Sequence, residues 1–97
     1  MNYRAFGRTG VQVSPLCLGA WQFGQRTPKA DALRMVDEAL AAGINFIDTA
    51  SGYGRGISEE ILGEALQGGK RARVFLATKF TFGVSRQQIL EQCEASL

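Results

Sequence analysis

A parallel α/β fold is predicted by three observations. Leu16-Cys17-Leu18-Gly19, Phe46-Ile47 up to Asp48, and Val74-Phe75-Leu76-Ala77 are continuous apolar runs without in-out alternation. That is the pattern of parallel strands covered on both faces. The runs begin at 16, 46 and 74, a spacing that suits one strand-helix unit each. The segments between them carry helix start and stop signals.

The elements follow in order. Tyr3 to Phe6 and Val11 to Val13 flank Gly7-Arg8-Thr9-Gly10, two short runs around a glycine-bounded loop that predict a β-hairpin. After the first strand, Thr27 is placed to cap a helix with Pro28 at its first position; Leu33, Val36 and Leu40 share its inner face before Gly43. After the second strand, Ser58 is placed as a cap. Glu59 and Glu60 complement the positive helix start, Ile61, Ala65 and Leu66 face inward, and Gly68-Gly69 ends the helix. After the third strand, Ser85 and Gln88 form a capping box, and Ile89-Leu90, Cys93 and Leu97 read as the apolar stripe. That stripe is still running at residue 97, so the chain reads as an incomplete piece of a larger fold. No linker or domain boundary is visible within 1–97.

Composition narrows the function. The 97 residues carry a net charge of +2 and 45% hydrophobic content, normal for one small globular unit. So slight a charge argues against nucleic acid, and Lys70-Arg71-Ala72-Arg73 reads as a solvated turn between elements. Cys17 and Cys93 lie in apolar contexts and read as small core residues. With no His and no CxxC, a metal site has no support. There is no signal-peptide h-region and no apolar stretch of membrane-spanning length, so a reducing, cytoplasmic setting is expected.

The chemistry gathers at strand ends. In parallel β/α folds, functional residues collect where the βα loops converge at the C-terminal ends of the strands. Those ends supply Gly19-Ala20-Trp21, Asp48-Thr49-Ala50 and Thr78-Lys79, with Tyr53 in the loop between the last two. Singly, the aspartate reads as a turn residue, the lysine as a solvated charge, and the tyrosine as a packed ring with a wet hydroxyl. Jointly they suit proton transfer. A phenol with a reference pKa of about 10 needs a neighbouring cation to act near neutrality. Lys79 would be that cation, with Asp48 holding it charged and in place. Gly52-Tyr53-Gly54-Arg55-Gly56 follows a strand, but the third glycine of a phosphate-binding GxGxxG would stand where Ile57 does. The glycines are read instead as letting the loop bend around Tyr53. Trp21 either covers the rim of the fold or walls a substrate pocket.

Phe6-Gly7-Arg8-Thr9-Gly10-Val11-Gln12-Val13-Ser14 with Leu18-Gly19-Ala20-Trp21 resembles the opening of an aldo-keto reductase. Gly43 through Ala50, Tyr53-Gly54, Ser58-Glu59-Glu60 and Leu62-Gly63 are similar to that family's most specific signature, and Ala77-Thr78-Lys79 to its lysine strand. The resemblance implies a (β/α)₈ TIM barrel, of which residues 1–97 would be the N-terminal part: the hairpin and about three β/α units of one barrel domain. It implies an oxidoreductase that reduces aldehydes or ketones with hydride from NADPH, NADH being the alternative, on a small-molecule carbonyl substrate. By the same resemblance, Tyr53 is the proton donor, Lys79 its cation and Asp48 the partner of Lys79. Gly19, Ala20, Trp21 and Asp48 border the nicotinamide, and Trp21 and Tyr53 meet substrate. The family's fourth catalytic residue, a His on the next strand, has no counterpart in 1–97.

Two other classes compete. A Schiff-base lyase would use Lys79 as an amine nucleophile, which a paired Asp48 opposes by keeping it protonated. A regulatory protein like the channel β-subunits would keep the fold and the cofactor without turnover. With two sheet edges unpaired, the chain alone is expected to be a poor monomer and no reductase. Substrate, cofactor preference and oligomeric state are not legible here.

Overall fold

The computed structural model describes residues 1–97. A β-hairpin of β1 (Arg4–Ala5) and β2 (Gln12–Val13) pairs Arg4 with Val13, antiparallel. A separate parallel sheet contains β3 (Leu18–Gly19), β4 (Phe46–Asp48) and β5 (Phe75–Ala77) in the order β3-β4-β5. Three helices follow the three parallel strands: α1 (Lys29–Ala41), α2 (Ile57–Ala65) and α3 (Arg86–Ser96). The strand-helix order and the parallel pairing match the expectation from the apolar runs. Three parallel strands do not close a barrel.

Alternation along the short strands separates two faces. Ile47, with Leu18 and Leu76 on its neighbours, packs on the helices, in a core with Val36 and Leu40 of α1 and Ile61, Leu62 and Ala65 of α2. Phe46, Asp48, Phe75 and Ala77 take the other face, because Phe46 pairs with Phe75 and Asp48 with Ala77. Phe6 of the hairpin closes the early end of that face; its ring lies 5.7 Å from Phe46 and 4.7 Å from Phe75, centroid to centroid. Asn45 fastens the hairpin to β4. Its Oδ1 accepts from the Ser14 N–H at 2.7 Å, and its Nδ2 donates to the Gln12 carbonyl at 2.9 Å. The aromatic plug and the Asp48 strand end therefore sit at opposite ends of the same open face.

The structure corrects four local readings. Thr27 does not cap α1: its N–H donates to Gln22 O and its carbonyl accepts from Gly24 N–H, so the tight 22–27 loop consumes it and Pro28 takes the cap position. Ser58 is not the cap of α2, which starts at Ile57 behind Gly56 at φ +97°. It lies in the first turn, fully buried, donating to Ala20 O at 2.8 Å and meeting the Thr49 hydroxyl at 2.7 Å. Both cysteines are exposed rather than core. Cys17 lies two residues before Gly19, on the sheet face away from the helices, and Cys93 lies on a helix with no buried residue. Finally, Leu90 of α3 and Leu97 just after it face solvent, and the half-buried positions are Ile89, Gln92 and Ser96. The capping box of Ser85 and Gln88 is present.

Ser58 joins the loop after β3 to the end of β4 by two buried hydrogen bonds. In a barrel completed by the remaining strands, Ser58→Ala is expected to destabilise the fold by about 1–3 kcal/mol, the cost of leaving the buried Thr49 hydroxyl without its partner. Urea unfolding with an unchanged m-value would register this as a lower midpoint.

Candidate active site

The parallel ladder runs past the last strand residues and carries the polar groups with it. Ala20 N–H donates to Asp48 O at 2.9 Å, Thr49 N–H to Ala77 O at 2.8 Å, and Ser51 N–H to Lys79 O at 2.9 Å. Gly19 pairs with Asp48 and Asp48 with Ala77. Lys79, two residues past Ala77, thus comes back to the face that bears Asp48.

Its ammonium donates to both Asp48 oxygens, at 2.8 and 2.9 Å, and to the Thr49 carbonyl at 2.7 Å. The Tyr53 ring lies beside it, with Nζ 5.3 Å from the centroid. Tyr53 is held there by a backbone that few sequences permit. Residues 53–56 form a kinked turn in which Gly54, Arg55 and Gly56 leave helical geometry for the left-handed region, with φ values of +60°, +58° and +97°. Arg55 is the one non-glycine residue with positive φ, and such strain gathers at functional sites. Gly52, just before Tyr53, packs so closely on Thr81 that a Cβ would collide with its side chain.

The hydrogen bond that Lys79 donates to Asp48 raises the lysine above the ordinary 10.5. Partial desolvation works against this, while the Asp48 charge and, more weakly, Tyr53 add to it. Lys79 is therefore an ammonium across the physiological range. Because the folded-state value is raised, the stability it contributes is fully present below the unfolded value and is lost as pH rises through the folded one. Asp48→Asn should bring the Lys79 titration, followed by ¹³Cε NMR, down toward 10.5. The stability gap between wild type and Asp48→Asn in urea should narrow as pH rises through the lysine titration.

The structure brings Asp48, Tyr53 and Lys79 together. Gly19 and Ala20 border them: Gly19 is exposed and a Cβ there would meet nothing within 4 Å, whereas Ala20 is fully buried. Trp21, 60% exposed, stands at the same rim, fixed through its carbonyl, which accepts from Gln25 Nε2 at 2.9 Å. No contact joins its indole to Tyr53. Sequence reasoning missed the Thr49 carbonyl, which carries no side-chain signal, and the supports from Ser51 and Gln92, which adjoin in space but not in sequence. No helix is long and apolar enough to cross a membrane, and no cluster of His, Cys, Asp and Glu could hold a metal ion.

The sequence profile of the "Aldo/keto reductase family" matches residues 15–97. "Uncharacterized oxidoreductase YrpG" of Bacillus subtilis is 48% identical over 85 residues, covering 81% of this chain and 26% of that protein. A protein of Oryza sativa called "Probable voltage-gated potassium channel subunit beta" is 36% identical across all of this chain and 33% of its own length. The holo form of aldo-keto reductase AKR11C1 from Bacillus halodurans superimposes with a TM-score of 0.82 at 29% identity, covering 99% of this chain and 35% of that one. The chain spans about a quarter to a third of the length of these relatives.

Proposed function

The chain belongs to the aldo/keto reductase family, and from that premise we propose that residues 1–97 are the N-terminal part of one barrel domain and carry the proton-transfer machinery of a carbonyl reduction. The observation that carries the proposal is the three-way meeting of Asp48, Lys79 and Tyr53 at adjoining parallel strand ends.

The residues present fit a nicotinamide dinucleotide. Gly19 offers an exposed strand end without a side chain, Asp48 offers a half-exposed carboxylate, and Trp21 offers an aromatic face at the same rim. Gly19, Ala20, Trp21 and Asp48 would hold the nicotinamide end of NADPH, with NADH as the alternative. Hydride for the carbonyl carbon is the chemistry such a bound reduced nicotinamide supplies. The rest falls to this chain. Tyr53 donates its hydroxyl proton to the carbonyl oxygen as negative charge develops there. Lys79, fixed by Asp48 and the Thr49 carbonyl, places a full positive charge beside the Tyr53 ring as the proton departs. Trp21 and Tyr53 contact the substrate, an aldehyde or ketone. The two exposed, unpaired cysteines suit a reducing, cytoplasmic setting.

The test joins residues 1–97 to the remaining strands of the Bacillus halodurans enzyme and follows NADPH absorbance with and without an aromatic aldehyde. Carbonyl-dependent oxidation is expected. A second reading, cofactor binding without turnover, is favoured by the likeness to the Oryza sativa channel-subunit relative. It predicts NADPH binding by the same chimera with no carbonyl-dependent oxidation. The Schiff-base reading finds no support in a lysine held as an ammonium. Borohydride with a carbonyl is expected to leave Lys79 unmodified.

A further inference from the structure

Helix α3 buries no residue, so apolar packing does not explain how it is seated. Polar contacts do, and most of them converge on one side chain. Gln92 Oε1 accepts from the Thr81 N–H at 2.9 Å, the Phe82 N–H at 3.1 Å and the Ser51 hydroxyl at 3.3 Å. Its Nε2 donates to the Phe82 carbonyl and, at 3.3 Å, to Gln88 O. One amide thus grips two loops: the one that leaves Lys79 and the one that runs from Asp48 to Tyr53.

The two loops also touch each other at that place. Ser51 Oγ lies 3.2 Å from Thr81 Oγ1, Ser51 N–H donates to Lys79 O, and Gly52 packs on the Thr81 side chain. Displacing Thr81 therefore shifts Lys79, two residues before it, and releases the turn on which Tyr53 sits. We infer that Gln92 is a positioning residue of the reductase site, fixing the lysine-bearing loop against the tyrosine-bearing loop from outside the sheet. A glutamine suits the task because its amide both accepts from two backbone N–H groups and donates to a carbonyl, as a loop edge requires.

This inference rests on the reductase reading for its effect on turnover but not for its effect on Lys79. The experiment therefore uses both readouts in the chimera described above. Gln92→Met keeps length and helix propensity and removes every hydrogen bond. It is expected to lower kcat about 10- to 100-fold, the effect of a small misplacement of reacting groups, with KM for the aldehyde nearly unchanged. The Lys79 ¹³Cε titration should fall toward its ordinary value. Gln92→Glu, which retains the acceptor for both N–H groups, should recover part of each loss. A folded Gln92→Met protein with the wild-type Lys79 titration overturns the inference, as does a loss expressed wholly in KM. If Gln92→Met does not fold, Ser51→Ala decides: a smaller shift in the same direction supports the inference, and no shift overturns it. A chimera without turnover whose Lys79 titration still responds to Gln92→Met keeps the positioning role and removes the reductase reading.

Discussion

Tyr53→Phe, in a barrel completed as above, is expected to lower carbonyl-dependent turnover about 10²–10⁴-fold, the usual worth of a positioned general acid. That corresponds to about 3–5 kcal/mol of barrier. The substitution removes one hydroxyl and keeps the ring that stands beside Lys79, while Lys79 keeps its bonds to Asp48 and the Thr49 carbonyl. Cofactor affinity, read by quenching of protein fluorescence on NADPH addition, should stay close to wild type. Loss of turnover with retained binding is the signature of an interaction made only on the way to the transition state. Equal losses in binding and turnover would mean that Tyr53 supports the site's architecture and not its chemistry.

Lys79→Met is expected to cost a comparable amount, about 10²–10³-fold, because it removes a preorganised charge from the place where negative charge develops. The methionine stem fills similar space, but the Asp48 carboxylate loses both hydrogen bonds it accepts from Lys79 and the Thr49 carbonyl loses one. Asp48 is then left an unpaired carboxylate at the site and opposes the negative charge that forms there. For this reason Lys79→Met with Asp48→Asn should be less impaired than Lys79→Met alone. Residues acting as one unit give such non-additive losses. A double variant as impaired as the product of the two single losses would show that the three groups act independently.

Much of this arrangement was legible from the residues. Apolar runs at even spacing located β3, β4 and β5 and their parallel order, because strands covered on both faces leave no alternation to obscure them. Strand polarity then put Asp48 and Lys79 at one end of the sheet. What could not be read depended on tertiary choices between local options. Thr27 and Ser58 are both good caps in isolation. One was drawn into the 22–27 loop, and the other was buried against Thr49 and Ala20, where its hydroxyl joins the Thr49 hydroxyl to the Ala20 carbonyl. The α3 stripe misled because an apolar pattern shows which side chains avoid water, whereas this helix is seated by Gln92 and Ser96. The Ser96 hydroxyl donates to Glu59 at 2.8 Å. The Cys17 thiol, read as core, lies on the open face. Partial burial raises it above its ordinary 9.0, with the Asp48 carboxylate adding to that and the Lys79 ammonium opposing it.

The central claim is that Asp48, Tyr53 and Lys79 form the proton-transfer side of a hydride reduction. The most direct measurement follows deuterium from NADPH labelled at C4 into the product alcohol, in the chimera and in its Tyr53→Phe variant. A single deuterium on the carbinol carbon is expected, formed at a rate that collapses in Tyr53→Phe. Label lost to solvent, or transferred equally fast without the Tyr53 hydroxyl, would contradict it.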